Sequence, residues 1–175
     1  LVVLPTGLGK TLIALLLSID RLTVFPLKKI IFLAPTKPLV EQHFEYFKRY
    51  LPELFADLQL FTGAVPANNR KKIWQTAEVI FSTPQCVAND LEHNLYDLKD
   101  TSLLIIDEAH RCLKNYDYTK VVASYKQQAP VSQQRILGLT ASPGNSAEIV
   151  NQICAHLNIE EIELRSRVSE DVKPY

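Results

Sequence analysis

Residues 1–11 read LVVLPTGLGKT. Four apolar residues, Leu1 to Leu4, run into a glycine-bearing turn that ends in a lysine and a threonine. A short apolar run bounded by a turn reads as a buried strand. The Leu-, Ile- and Ala-rich stretch Thr11–Leu22 reads as the helix that follows. A strand, a glycine turn and a Lys-Thr pair at a helix N-terminus have the architecture of a phosphate-binding loop. Its amides point at the anion and the helix dipole favours negative charge. In that reading Pro5, Thr6, Gly7, Leu8 and Gly9 form the cradle. Lys10 reaches the β- and γ-phosphates, and Thr11 places its hydroxyl on Mg²⁺. The general pattern G-x-x-x-x-G-K-[ST] is met only in part, because Leu4 stands at its first glycine. The same residues also fit an ordinary strand-to-helix turn with an exposed lysine.

Working outward, short apolar runs alternate with helical patterns along the whole chain. Strands are predicted at Leu1–Leu4, Lys29–Ala34, Leu58–Thr62, Glu78–Ser82, Ser102–Asp107, Arg135–Thr140 and Glu161–Leu164. Most are near-continuous Ile, Leu, Val and Phe, the pattern of strands buried on both faces. Helices are predicted at Thr11–Leu22, Pro38–Tyr50, Ala67–Gln75, Pro84–Asn94, Tyr118–Gln128 and Ser146–Leu157. Pro38, Pro66 and Pro84 lie at or near helix starts, where a missing N–H costs nothing. Strand–helix alternation with short connections predicts a doubly wound α/β domain with a mostly parallel sheet. Ligands of such folds collect at the carboxyl ends of the strands.

One of those ends carries a second chemical signal. The run SLLIIDEAH places Asp107 and Glu108 just after a buried-type strand. Two adjacent carboxylates are costly to bury without a cation, and Mg²⁺ held near Thr11 would supply one. Asp107 would bind the metal and Glu108 would deprotonate an attacking water. A polar cap at a strand end is the alternative reading.

The chain has 175 residues, enough for one domain of ordinary size, and 47% of them are hydrophobic. Nineteen Lys plus Arg balance nineteen Asp plus Glu. That neutrality argues against a strongly basic nucleic-acid clamp, though not against a local track of backbone amides. No apolar run reaches the length of about 18 residues that a membrane span needs. No signal peptide is visible. Cys86, Cys112 and Cys154 have neither disulfide-framework nor zinc spacing and read as reduced thiols.

PTGLGKT followed by DEAH resembles motifs I and II of superfamily 2 helicases. Further matches stand at other predicted strand ends in the expected order. LAPTKPLVEQ (Leu33–Gln42) resembles motif Ia, Thr62-Gly63 the short TG element, STPQ (Ser82–Gln85) motif Ib, and LTASP (Leu139–Pro143) motif III. The detailed wording is similar to the archaeal Hef and Fanconi anaemia M helicases. It rests on APTKPLVEQH, Asn89-Asp90-Leu91, DEAHR with Asn115-Tyr116, GLTASPG and the tail Asp171–Tyr175.

The resemblance implies a RecA-like P-loop NTPase domain, the first of two motor domains, over residues 1–175. It implies ATP and Mg²⁺ as cofactors, and an ATP-dependent helicase as the enzyme. Lys10, Asp107, Glu108 and His110 are its implied catalytic set. His110, Thr140, Ala141 and Ser142 would couple hydrolysis to domain movement. Pro35, Thr36, Lys37, Thr62, Gly63, Thr83, Pro84 and Gln85 would line a nucleic-acid track, DNA being favoured over RNA. Competing readings are helix capping by Thr36 and Thr83, local packing by His110, and a Ser/Thr turn before Pro143-Gly144. Asn68-Asn69-Arg70-Lys71-Lys72 reads as a solvated helix face and Trp74 as core.

Motifs IV to VI have no match. The expected partner is therefore a second RecA-like domain of the same parent chain, and this chain alone is expected to hydrolyse ATP hardly at all. No membrane partner is expected. Location would be cytoplasmic in a prokaryote and nuclear in a eukaryote. An RNA-remodelling ATPase of the same superfamily and a catalytically silent nucleic-acid-binding domain stand as the other functions.

Overall fold

The computed structural model describes residues 1–52, 54–114, 116–142, 147–166 and 169–170. Asn115, the Pro143-Gly144 turn and the tail 171–175, used above, lie outside the described residues. Among the described residues seven strands form one sheet: β1 Val2–Val3, β2 Lys29–Leu33, β3 Leu58–Phe61, β4 Val79–Ser82, β5 Thr101–Ile106, β6 Ile136–Thr140 and β7 Glu163–Leu164. Their order is β3-β4-β2-β5-β6-β1-β7, and every pairing is parallel. The α-helices described between them are α1 Lys10–Val24, α2 Lys37–Tyr50, α3 Ala67–Ile73, α4 Pro84–Glu92, α5 Tyr116–Gln128 and α6 Ala147–Leu157. This is the RecA-like arrangement.

The apolar strands are buried as their composition requires. β2 and β5 are covered at every position. Because side chains alternate across a strand, one set of residues packs on each face. Ile30, Phe32, Phe81, Leu103 and Ile105 meet Ala14 and Leu15 of α1 and Val40 and Phe47 of α2. Ile31, Leu33, Ile80, Leu104 and Ile106 meet α4, α5 and α6 through Val87, Tyr118 and Ile153. A parallel sheet needs cover on both faces, and the two clusters are that cover.

The basic run on α3 departs from the expected solvated face. Arg70 is buried, while Asn68, Asn69, Lys71 and Lys72 are exposed. Arg70 shares the inward side of α3 with Ile73 and Trp74, three and four residues on, and helical periodicity carries all three toward the sheet. The charge is tolerated there because Asp90 of α4 pairs with both Nε and Nη2 of the guanidinium. Trp74 is core, stacked on Tyr96 with ring centroids 4.0 Å apart.

Two tyrosines of α5 are fully buried. Tyr118 donates its hydroxyl to the Asp107 carbonyl at 3.1 Å, and the Tyr125 hydroxyl accepts from the Arg135 amide at 2.8 Å. Burial disfavours the phenolate, raising Tyr118 above the ordinary value of 10.0 and Tyr125 to about 12. A raised folded-state pKa makes the fold bind more protons than the unfolded chain once pH passes 10. Stability is therefore fully present below pH 10 and falls as pH rises beyond it. Phenolate absorbance from these two residues is expected only as the far-UV signal of unfolding appears. Their ionisation near pH 10 in a folded chain would contradict this.

Candidate functional site

All strands run the same way, so their carboxyl ends share one edge of the sheet. The order divides that edge in two. Adjacent strands β3, β4 and β2 end in Thr62-Gly63, Thr83-Pro84-Gln85 and Pro35-Thr36-Lys37. Adjacent strands β5, β6 and β1 end in Asp107-Glu108, Ala141-Ser142 and the loop Pro5–Gly9. Segments far apart in sequence thus become two contiguous rows.

In the second row, β1 leads through the loop into α1, which begins at Lys10. Gly7 has φ +87° and Gly9 φ +93°, left-handed conformations that glycine adopts without steric cost. No atom lies within 4 Å of where a Cβ would stand on either glycine. The backbone is therefore open to close approach by a ligand. Lys10 Nζ donates to the carbonyls of Leu4 at 2.9 Å and Pro5 at 3.5 Å, so its ammonium lies at the mouth of the loop. Leu4, where the general pattern has glycine, is buried in the core.

Asp107 follows β5 and is 6% exposed, with its amide bonded to the Leu33 carbonyl at 2.8 Å. Its carbonyl is held by Tyr118, for which the sequence had suggested no role. Glu108 is half-buried at φ 49°, ψ 46°, a left-handed conformation uncommon for a residue with a side chain. It opens the 3-10 turn Ala109–Leu113 and turns its carboxylate back toward His110, with Oε2 3.3 Å from Nδ1. The same His110 Nδ1 lies 2.9 Å from Thr140 Oγ1 at the end of β6. The Ser142 amide donates to that Oγ1 at 3.2 Å, closing a Ser/Thr turn. Thr140 therefore makes a local turn and touches His110 at once. Ala141 is half-buried and Ser142 exposed, and His110 meets this segment through Thr140.

His43 was not singled out by its sequence. From α2 its Nε2 lies 2.8 Å from Asp107 Oδ2, and its Nδ1 lies 3.5 Å from Thr11 Oγ1. Its only sequence signal is its place in APTKPLVEQH, two turns into an amphipathic helix whose start carries Thr36 and Lys37.

Along the first row Thr36, Lys37, Gly63 and Gln85 are exposed, Pro35 and Thr83 are half-buried, and Thr62 and Pro84 are buried. Thr83 caps α4 by accepting from the Cys86 amide at 3.4 Å, whereas Thr36 makes no side-chain cap. Thr62 contributes its carbonyl inward, accepting from the Val65 amide at 3.0 Å and from Arg70 Nη1 at 3.4 Å. Gly63 and Ala64 are the exposed residues of the turn. Arg70 also bonds the Val65 carbonyl, and Tyr96 donates to Asp90 Oδ2 at 3.0 Å. The buried pair therefore anchors the 62–65 turn to α4.

The donor set fits a divalent cation that arrives with a nucleotide. Thr11 supplies a hydroxyl and Asp107 a carboxylate, hard oxygen ligands suited to Mg²⁺. Among the described residues no group of three or more His, Cys, Asp or Glu forms a metal cage. Mg²⁺ characteristically takes one or two protein oxygens and completes its shell with phosphate and water. Cys86, Cys112 and Cys154 are free thiols, and no described helix is long and apolar enough to cross a membrane.

A glycine turn running into Lys10 and Thr11 after β1, an acidic pair after β5 and a His–Thr contact to β6 stand on a sheet with the fold of a RecA-like helicase domain. A profile of the DEAD/DEAH box helicases matches residues 1–150, and the chain belongs to that family. It is 41% identical over 175 residues to the Fanconi anemia group M protein homolog of Mus musculus, spanning all of this chain and 9% of that protein. It is 40% identical over 175 residues to the ATP-dependent DNA helicase fml1 of Schizosaccharomyces pombe, spanning all of this chain and 21% of that one. The crystal structure of the Pyrococcus furiosus Hef helicase domain superposes with a TM-score of 0.89 at 46% identity, covering 99% of this chain and 36% of that chain. The chain thus spans a minor part of each relative's length.

Proposed function

We propose that this chain is the first motor domain of an ATP-dependent DNA helicase or translocase that acts on branched DNA in repair or fork processing. The observation that carries this is the division of the strand-end edge. A nucleotide half-site on β5, β6 and β1 lies beside a row of exposed backbone and helix starts on β3, β4 and β2.

In this reading Pro5, Thr6, Gly7, Leu8 and Gly9 offer backbone amides to the phosphates of ATP, and Lys10 leaves the Leu4 carbonyl to meet the β- and γ-phosphates. Thr11 and Asp107 would hold Mg²⁺, which when bound neutralises charge on the phosphate oxygens. Glu108 accepts a proton from water as the water oxygen bonds to the γ-phosphorus and the bond to the β-phosphate oxygen breaks. His110 passes the state of Glu108 to Thr140 and so to the segment after β6. Thr36, Lys37, Gly63 and Gln85 face the phosphates of a nucleic-acid strand, with Pro35, Thr62, Thr83 and Pro84 shaping the turns behind them. Such contacts read no base, which suits a motor that moves along any sequence.

A second RecA-like domain of the same longer protein would supply the arginine that stabilises the transferring phosphoryl group, a contribution of about 10³–10⁵ in rate. The ATP-dependent DNA helicase name of the fission yeast relative supports DNA as the track. In a eukaryote such a protein would work in the nucleus, and in a prokaryote in the cytoplasm.

The test is the ATPase rate of the intact protein with Mg²⁺, with Lys10→Ala as control. It is measured without nucleic acid and with single-stranded DNA, duplex DNA, forked DNA and duplex RNA. Greatest stimulation by the fork, lost in Lys10→Ala, is expected. Stimulation by RNA alone would move the chain to the RNA-remodelling branch. Absence of turnover under every condition would leave a binding domain.

A further inference from the structure

His43 is 6% exposed and lies in the apolar layer between β2 and α2, its ring 4.5 Å from that of Phe32. A buried imidazole must satisfy both ring nitrogens. Any two polar groups would serve if packing were its whole purpose. The two it has found are Asp107 Oδ2, at 2.8 Å, and Thr11 Oγ1, at 3.5 Å. These stand 64 and 32 residues away in the chain, just after β5 and on α1. They are also the two oxygen donors that the nucleotide reading assigns to the cation.

We propose that His43 is a positioning residue of the metal site, holding the Asp107 carboxylate and the Thr11 hydroxyl in the orientation that receives the divalent cation of the bound nucleotide. The inference rests on the Mg·nucleotide reading above. The chemistry is directional. A carboxylate only accepts, so Nε2 carries the proton and donates to Oδ2. In the neutral imidazole Nδ1 is then the lone-pair nitrogen and accepts from the Thr11 hydroxyl. A hydroxyl whose hydrogen is drawn toward His43 turns its own lone pairs elsewhere. Asp107, with Oδ2 engaged, keeps Oδ1 for the cation or a water bound to it. The stiffness comes from α2, because Val40 and Phe47, three residues before and four after His43, are fully buried and fix the helix against the sheet.

Groups that orient metal ligands in this way typically contribute 10–100-fold in metal affinity or activity. The readout is metal-dependent binding rather than turnover. A fluorescent ADP derivative is titrated into the intact protein in EDTA and across a range of Mg²⁺ concentrations. Mn²⁺ bound in the presence of ADP is counted separately by electron paramagnetic resonance.

His43→Leu, apolar and of similar bulk, is expected to raise the Mg²⁺ concentration that tightens ADP binding by about 10–100-fold and to weaken Mn²⁺ by the same factor. His43→Gln keeps an N–H near the position of Nε2 and is expected to recover most of the loss. A core role predicts a lower unfolding temperature in both variants and a wild-type Mg²⁺ requirement in both. That outcome would overturn the proposal. Lys10→Ala separates this inference from the reading beneath it, because it is expected to weaken ADP binding with and without metal. If the unaltered protein binds no ADP in either condition, the nucleotide reading fails and the role of His43 falls with it.

Discussion

Glu108→Gln in the intact protein is expected to lower kcat for nucleic-acid-stimulated ATP hydrolysis by about 10²–10⁴, the usual contribution of a general base. The amide is isosteric with the carboxylate and still accepts a hydrogen bond, but it cannot take a proton from water. Glu108 is half-buried, its oxygen 3.3 Å from His110 Nδ1, and its backbone is held at φ 49°. A left-handed conformation at a residue with a side chain persists only when its surroundings impose it. Here the Tyr118 hydroxyl on the preceding carbonyl and the following 3-10 turn do so. The substitution leaves those restraints in place, so the loss belongs to chemistry rather than to folding. Single-turnover ATP cleavage checks it, alongside direct binding of Mg·ATP. Cleavage at the unaltered rate would remove Glu108 from the role of base.

Asp90→Ala is expected to destabilise the fold by about 3–5 kcal/mol, because it leaves the Arg70 guanidinium buried without its counter-charge. The side chains of Arg70 and Asp90 are only 10% and 2% exposed. Arg70 retains its bonds to the Thr62 and Val65 carbonyls, which are neutral acceptors and cannot replace a carboxylate. For a chain of this size the loss corresponds to roughly 6–20 °C in the unfolding midpoint. Replacing both partners, Arg70→Met with Asp90→Leu, is expected to return much of that stability, since the desolvated charges go together. Thermal unfolding followed by circular dichroism checks both variants. The double variant is also informative for function. It frees the 62–65 turn from α4, so under the proposed function a fall in DNA affinity at recovered stability would report how firmly Gly63 must be held.

The seven strands and six helices were legible because each is a contiguous pattern. Runs such as Lys29–Ala34 and Ser102–Asp107 bury both faces, and only a sheet covered on both sides accommodates them. Their observed limits, Lys29–Leu33 and Thr101–Ile106, differ from the pattern by single residues. The glycine turn between β1 and α1 was legible for the same reason. Two glycines within three residues permit positive φ at both, and the lysine and threonine follow in the next two positions.

The polar interior was not legible. Arg70 sits among Asn68, Asn69, Lys71 and Lys72, and nothing nearby distinguishes the one basic residue that turns inward. That decision depends on Asp90, 20 residues on and in another helix. Tyr118 was an aromatic near an acidic motif until the fold set its hydroxyl against the Asp107 carbonyl.

Local sequence, then, decided what depends on neighbours: backbone conformation at Gly7 and Gly9, the strand and helix periods, and the residues that end each strand. Tertiary structure alone decided the meetings. The strand order placed Thr11, Asp107 and Thr140 in one row and Thr36, Gly63 and Gln85 in another, and packing of α2 brought His43 between Thr11 and Asp107. The reason is energetic. Backbone propensity and apolar burial are settled by contiguous stretches of chain. A buried polar group is settled by whichever partner the completed fold brings within hydrogen-bond reach.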